Sequence, residues 1–508
     1  MYSTRSIALA LFATGGIVAT ANADLRVWTG AAGDNNWSNN LNWSGNQRPG
    51  SQDTAYIDPG FDTIFAPFGT SVGTVVSYRP IVFQNSIFIG NTSHFYADVA
   101  FNGGLTIGRS DAVIHVFRTC NWNGGNFWPN TGTSNTTIQI NSGATMNIGP
   151  SAGSLANNVA VMTGGTLNLN TTSLYFQNFS AFDIVVMSTQ PGASINFNAG
   201  TSVGTTQNRP SAGAVINYGN LTTRNGPTYF ADSVYFFNSG KIRTESNTYI
   251  GDPAFLPPGD NYIAGGEYEL INSSLTFSPG RPVKGISSAT RLTISGPNAY
   301  FGGLGYAQNN EGVLTISDGA YPGVGYSRPL GFNNYGTINL MPNGYLYSDT
   351  QFTNAPSGRI NSYVQGVNYG DFGYIVSAQY FNLLGGTAHF ISQGYLPAHN
   401  DRFPLARVIE ASPYYGAYGA FSAIEGSGWA SWTVYPTVQD SHHAFDYVFA
   451  CTADFNSDGF LDGFDYDDFV ACFEGSGCPG TKSADFNGDG FADGFDYDDF
   501  VAAFEIGC

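Results

Sequence analysis

Residues 454–465 and 485–496 each carry oxygen-bearing side chains at a spacing suited to one hard cation. In the first stretch Asp454, Asn456, Asp458, Asp462 and Asp465 take positions 1, 3, 5, 9 and 12 of a twelve-residue loop. Phe460, at position 7, offers its backbone carbonyl. In the second stretch Asp485, Asn487, Asp489, Asp493 and Asp496 repeat the scheme, with Phe491 at position 7. Calcium takes roughly 6–8 oxygen ligands, and this spacing wraps them about one point, with a glycine at position 6 for the sharp turn. Gly459 and Gly490 stand there. The expectation is two bound calcium ions. Position 12 is Asp rather than the Glu of ordinary loops, so a shorter arm must close the site. The competing reading is an acidic solvated turn, against which the glycine and all the ligands recur together in both stretches.

The elements around these loops are duplicated too. Residues 453–474 and 484–505 form a direct repeat at an offset of 31, differing only at Ser457/Gly488, Leu461/Ala492 and Cys472/Ala503. No helical pattern precedes either loop, but one follows each, from Tyr466 through Phe473 in the first. Phe469 and Phe500 have the spacing of helix core residues; Phe464 and Phe495 suit either that core or an exposed patch. Four of the five cysteines, Cys451, Cys472, Cys478 and Cys508, fall in this tail. Outside the cell such clustering suggests disulfides. Three pairings are possible. Cys472 with Cys478 and Cys451 with Cys508 is the preferred one, by proximity and by bracketing. Zinc would want close cysteine pairs or histidine, and the tail has neither. Cys120 stands alone as a small buried hydrophobe.

The rest of the chain explains an odd charge balance. The net charge is -19, yet only 11% of the 508 residues are charged. Residues 451–508 account for -13 of it and residues 1–450 for -6. Nucleic acid is excluded as a partner, since phosphate needs a basic surface. Residues 1–23 carry the marks of a secretory signal: Arg5, an apolar stretch from Ile7 to Val18, and Ala21-Asn22-Ala23 as a cleavage site. No later run is long enough for a membrane span. A secreted or surface-held protein is expected.

Residues 24–385 are built from a recurring unit of glycine, spacer, apolar, polar, apolar. It appears as Gly165-Thr166-Leu167-Asn168-Leu169, Gly312-Val313-Leu314-Thr315-Ile316, Gly336-Thr337-Ile338-Asn339-Leu340 and Gly386-Thr387-Ala388-His389-Phe390. Variants start at Gly143, Gly192, Gly213, Gly240, Gly266 and Gly358. The alternation marks strands with one buried face, and the glycine suits a turn of positive φ. One strand every 21–28 residues leaves room for two or three per unit, which is one coil of a parallel β-helix. Asn, Ser and Thr at the polar positions allow hydrogen-bonded ladders between coils where charges would repel. Trp28, Trp37 and Trp43 near the start suit a hydrophobic cap or a carbohydrate platform. Residues 386–450 lose the period and suggest a terminal β-structure.

Two resemblances attach to these patterns. Trp28-Thr29-Gly30, Asn36-Trp37, Asn42-Trp43 and Pro49, the Gly-x-Leu-x-Ile coils, and Gly394-Tyr395-x-Pro397 with Asp401-x-Phe403 and Gly419-x-Phe421 resemble bacterial autotransporter-passenger-like repeat proteins over about residues 24–450. That likeness implies a right-handed β-solenoid, secreted or on the cell surface, without one activity. The tail, residues 451–508, resembles type I dockerin modules, which implies two calcium ions and a cohesin-like partner. Their recognition positions 10 and 11 are Gly463-Phe464 and Gly494-Phe495 here, not the frequent Ser-Thr pair.

Catalytic candidates are sparse. Glu267 and Glu269 would share one strand face around an inward Tyr268. Asp252 and Asp260 lie in a Pro/Gly-rich loop, and His442-His443 with Asp446 offers a metal pair. No set of nucleophile, base and orienting group converges in sequence, and no cluster of Lys or Arg beside acids stands out for lyase chemistry. The chain is therefore expected to be an all-β solenoid with a terminal β-structure and a small α-helical calcium-loop module. Its expected role is structural or adhesive, with attachment or docking through the tail. The alternative is a polysaccharide-binding or polysaccharide-degrading component carried to a cohesin scaffold.

Overall fold

A computed structural model describes residues 23–67, 69–109, 111–129, 136–156, 159–177, 185–205, 213–253, 255–256, 262–263, 265–278, 283–324, 331–395, 401–409, 416–426, 430–439, 442–458, 460–480 and 482–506. The signal-like segment, Asp260, Pro397, Gly459 and Cys508 lie outside the described residues. So do the side chains of Asp252, His442 and His443.

Parallel strands wind into a β-solenoid with three faces. One coil shows the plan. Thr136–Ile140 lies on the first face, Thr145–Ile148 on the second and Ala152–Ala156 on the third. Each pairs in parallel with the next coil, at Val159–Thr163, Thr166–Leu169 and Ser173–Gln177. Alternation does the sorting. Ile138, Ile140, Met146, Ile148 and Leu155 point inward and are buried, while Gln139 and Asn147 between them point outward. Among the described residues the second face runs through sixteen strands, from Ile64–Ala66 to Ala423–Glu425. The eleven-residue strand Thr228–Asn238 crosses a corner and pairs with Ser202–Thr205 and Gly213–Asn217, which joins the first and third faces into one sheet, of twenty strands among the described residues. Later coils keep the two faces in separate sheets.

Glycine at the corners serves two needs, the expected positive φ and a second one. Gly143, Gly192, Gly266 and Gly386 do have positive φ. Gly165, Gly240, Gly312, Gly336 and Gly358 do not. What these five share is contact with the coil before. A Cβ on Gly336 would sit 2.2 Å from the carbonyl oxygen of Gly312, and one on Gly240 would sit 2.1 Å from that of Gly219. At these five the constraint is close approach of backbones.

Polar ladders run beside these corners. Asn310, Asn334 and Asn354 are fully buried, and each amide donates to the next carbonyl oxygen at 2.8 and 2.9 Å. Asn334 Nδ2 also donates to the Arg359 carbonyl, and Asn354 Nδ2 to that of Gly385. A second ladder, Asn121, Asn147, Asn168 and Asn196, runs along the outer second face with links of 2.8, 2.9 and 2.9 Å.

Both ends of the solenoid are closed. Trp28, Trp37 and Trp43 are buried and meet edge to face, at 5.0 Å and 4.8 Å between centroids. Trp43 Nε1 donates to the Trp37 carbonyl at 2.7 Å. Buried rings cannot stack on a sugar, so these three form the cap. At the other end, parallel coiling continues past residue 386, through Thr387–Ser392, Gly416–Gly419 and Ala423–Glu425. The antiparallel pair Ala430–Gln439 and His442–Cys451 then covers the edge of Arg402–Val408. Its Phe445 and Tyr447 are buried against Phe381 and Phe390. Cys120 is buried and unbonded, and burial pushes its thiol up to about 12.

Removing a rung should expose the difference between the two ladders. Asn334→Ala strands buried amide and carbonyl groups and is expected to cost about 1–3 kcal/mol. Asn168→Ala on the outer face should cost no more than about 0.5 kcal/mol. Urea unfolding midpoints of the two variants compare them directly.

Candidate functional site

The tail folds as two loop-then-helix units. Helix α1 spans Gly463–Phe473 and α2 spans Gly494–Ile506. Each starts at position 10 of its loop. Asp462 caps α1 by accepting from the Phe464 amide, and Asp493 accepts from the Phe495 amide in the same way. Cys472 in α1 is bonded to Cys478, as preferred from sequence. Cys451 is also disulfide-bonded.

The loop side chains turn inward onto loop amides. Asp454 and Asn456 both accept from the Asp458 amide, and Asp458 accepts from that of Phe460. In the second loop Asp485 accepts from Gly490, Asn487 from Asp489, and Asp489 from Phe491. The position-12 carboxylates hold each loop shut. Asp465 accepts from the amides of Asn456 and Asp462. Asp496 accepts from those of Phe486, Asn487 and Asp493. Both are fully buried. Amide donors from Asp493 and Asn487 hold the Asp496 carboxyl below its ordinary value. Gly490 has the expected positive φ of 95°. Position 4 is left-handed too, at 61° in Ser457 and 77° in Gly488. That explains one of the three differences between the copies: Gly488 relieves a strain that Ser457 carries.

The donor chemistry fits a hard cation. Every ligand candidate is an oxygen, and Asp485 Oδ1 is buried without a hydrogen-bond partner. Asp465 and Asp496 have no Lys or Arg ion pair among the described residues. Asp454, Asn456, Asp458, Asp462, Asp465 and the Phe460 carbonyl would hold one calcium; Asp485, Asn487, Asp489, Asp493, Asp496 and the Phe491 carbonyl would hold the other. Among the described residues no three His, Cys, Asp or Glu side chains converge on a common point. The loops present their acids to their own amides, in a closed turn network.

The two units meet through equivalent residues. Phe469 stacks on Phe500 at 4.0 Å, and the hydroxyls of Tyr466 and Tyr497 share a hydrogen bond. Like touching like across the 31-residue offset is the mark of a pseudo-twofold. Phe469 and Phe500 form its core. Phe460, Phe464, Phe491 and Phe495 are about 70% exposed.

The solenoid brings together a charged cluster that sequence reading missed. Glu267 and Glu269 do flank a buried Tyr268. The coil before them contributes Lys241 and Arg243 in register. Lys241 Nζ lies 2.8 Å from Glu267 and 2.9 Å from Glu269, and Arg243 lies 3.0 Å from Glu269. Arg291 follows Glu267 on the next coil. Lys and Arg beside acids on one face were not expected, because the pairs are 26 residues apart. Aligning Gly240-Lys241-Ile242-Arg243 with Gly266-Glu267-Tyr268-Glu269 would have found them. Burial alone would raise the Glu269 carboxyl, but hydrogen bonds from Lys241 and Arg243 outweigh it and hold it below its ordinary 4.5. The acids are thus ion-paired. Asp446 is buried in the terminal strand pair.

The fold places the chain among parallel β-solenoids. No family model matches it, and no curated protein does. No helix among the described residues is long and apolar enough to cross a membrane.

The charged cluster makes a pH prediction. A carboxyl lowered on folding stabilises above its unfolded value and loses that contribution as pH falls through its folded one. Glu269→Gln should therefore cost up to about 1 kcal/mol at neutral pH, given partial exposure and screening. The difference from wild type should begin to shrink as pH falls past 4.5, the ordinary value from which Glu269 is lowered, and should be lost only below the lower folded value. Thermal midpoints across the range check it.

Proposed function

We propose that this is an exported, structural or adhesive β-solenoid that is attached to a protein partner through a calcium-organised tail. The carrying observation is the pair of buried position-12 carboxylates, Asp465 and Asp496, in a module of net charge -13. Loop amides already hold these carboxylates, so each closes a loop whose oxygen ligands are spaced for one hard cation, and Asp485 Oδ1 is left buried without a hydrogen-bond partner. The tail is in this respect dockerin-like, and the solenoid, with its capped ends and few charges, acts as a spacer.

The docking surface of this reading is aromatic. Phe464 and Phe495 stand at the positions where dockerins commonly recognise cohesins, and Phe460 and Phe491 stand four residues before them. Four exposed Phe on so small a module offer apolar anchors of the kind found at interfaces. A cohesin-like partner with an apolar face suits it better than one reading a Ser-Thr pair. Export by the N-terminal signal, an oxidised Cys472–Cys478 pair and calcium at extracellular levels belong together.

Isothermal titration of the full chain with calcium should give two binding events. The double variant Asp465→Asn/Asp496→Asn should abolish both while leaving the far-ultraviolet spectrum of the solenoid unchanged. Ser457→Gly should tighten the first loop by relieving its backbone. Absence of calcium heat from wild type, or the same heat from the double variant, would sink the proposal.

A further inference from the structure

We infer that the tyrosine-lined trough on the third face of the solenoid binds a neutral glycan chain. The inference is independent of the calcium loops. The trough has a volume of about 490 Å³, within the range of roughly 300–1,000 Å³ that small-ligand pockets occupy. Its walls include Pro297, Asn298, Tyr300, Tyr321, Tyr345 and Tyr347. No Asp, Glu, Lys or Arg is among the described residues that line it.

The rings are exposed and held in place. Tyr300 and Tyr321 are 57% and 56% exposed. Tyr321, Tyr345 and Tyr374 stack one per coil, at 5.7 and 5.3 Å between centroids and within 13° of parallel. Tyr345 and Tyr374 are successive rungs of one strand register. The far end is clasped: Arg407 lies 6.0 Å from the Tyr374 ring, and the Tyr369 hydroxyl donates to that of Tyr374 at 3.3 Å. Tyr321 ends the stack, with one face on Tyr345 and no other ring against it among the described residues. Rings fixed in advance lose little freedom when a ligand arrives.

This surface chemistry selects the ligand. A pyranose ring has C–H-rich faces and a rim of hydroxyls. The faces suit the negative face of a tyrosine ring, and the rim suits phenol hydroxyls and the Asn298 amide. Burial raises the Tyr345 and Tyr374 phenols, so their hydroxyls remain donors at every physiological pH. An acidic glycan would call for Arg or Lys in the wall. Stacked nucleotides would call for a basic groove. The trough supplies neither.

The test is calorimetric titration of the full chain with four probes: β-1,4-glucan, β-1,3-glucan and β-1,4-xylan hexasaccharides, and a hexagalacturonate as the acidic comparison. At least one neutral probe should bind. Tyr321→Ala should weaken it by about tenfold or more, as loss of an anchoring aromatic does. Tyr321→Phe should keep most of the affinity, and Tyr175→Ala, an exposed tyrosine elsewhere on the solenoid, should keep all of it. If Tyr321→Ala fails to fold, the exposed Tyr300→Ala decides in its place. The inference is overturned if no neutral probe binds, if the galacturonate binds more tightly, or if both alanine variants bind like wild type.

Discussion

At a series of corners along the solenoid, one coil lies against the previous one with backbone almost touching backbone. That contact sets the rest. At Gly165, Gly240, Gly312, Gly336 and Gly358 a methyl group would collide with main-chain atoms of the neighbouring coil. Because the corners cannot move apart, strands on all three faces keep a register in which like residues sit above like. The alternating pattern then delivers its apolar set inward on every face at once. Each coil buries its apolar face only because its neighbours are there, so the ends need dedicated caps.

The same stacking governs the surface. Residues in one column lie about one strand spacing apart, so a column of like charges would repel and a column of amides can bond. The asparagine ladders follow from this, both the buried one through Asn334 and the outer one through Asn168. Where charges do occur, they alternate in sign by coil: Lys241, then Glu267, then Arg291. Aromatic columns obey the same rule, since rings can stack face to face along the axis. Tyr78 lies 4.5 Å from Tyr96, His94 lies 4.7 Å from His115, and the tyrosine trough is a third case.

Local pattern made much of this legible. Alternation and the glycine spacing announced a solenoid, and the tandem ligand spacing announced two loop-helix units. Phe469 and Phe500 were placed in the tail core by helix spacing alone. What escaped was anything that depends on which residues face each other across coils. Lys241 and Glu267 are neighbours in space and 26 apart in sequence, and only laying the unit at Gly240 over the one at Gly266 brings them together. The role of the corner glycines escaped for a related reason: positive φ is a property of one residue, whereas close approach belongs to two coils. Tyr300, Tyr321 and Tyr345 show no motif, because one tyrosine per coil carries no spacing signature of its own.

The tail stands apart physically. The solenoid is held by repetition and needs little charge, while the tail concentrates carboxylates that bury themselves in two closed loops. The account therefore rests on a cation organising those loops and leaving the solenoid untouched. Hydrogen exchange measured on the full chain, with calcium and with chelator, tests this most directly. The account predicts that the amides donating to Asp465 and Asp496, those of Asn456, Asp462, Phe486, Asn487 and Asp493, lose protection on chelation while solenoid strands keep theirs. Equal protection of those five amides in both conditions would contradict it.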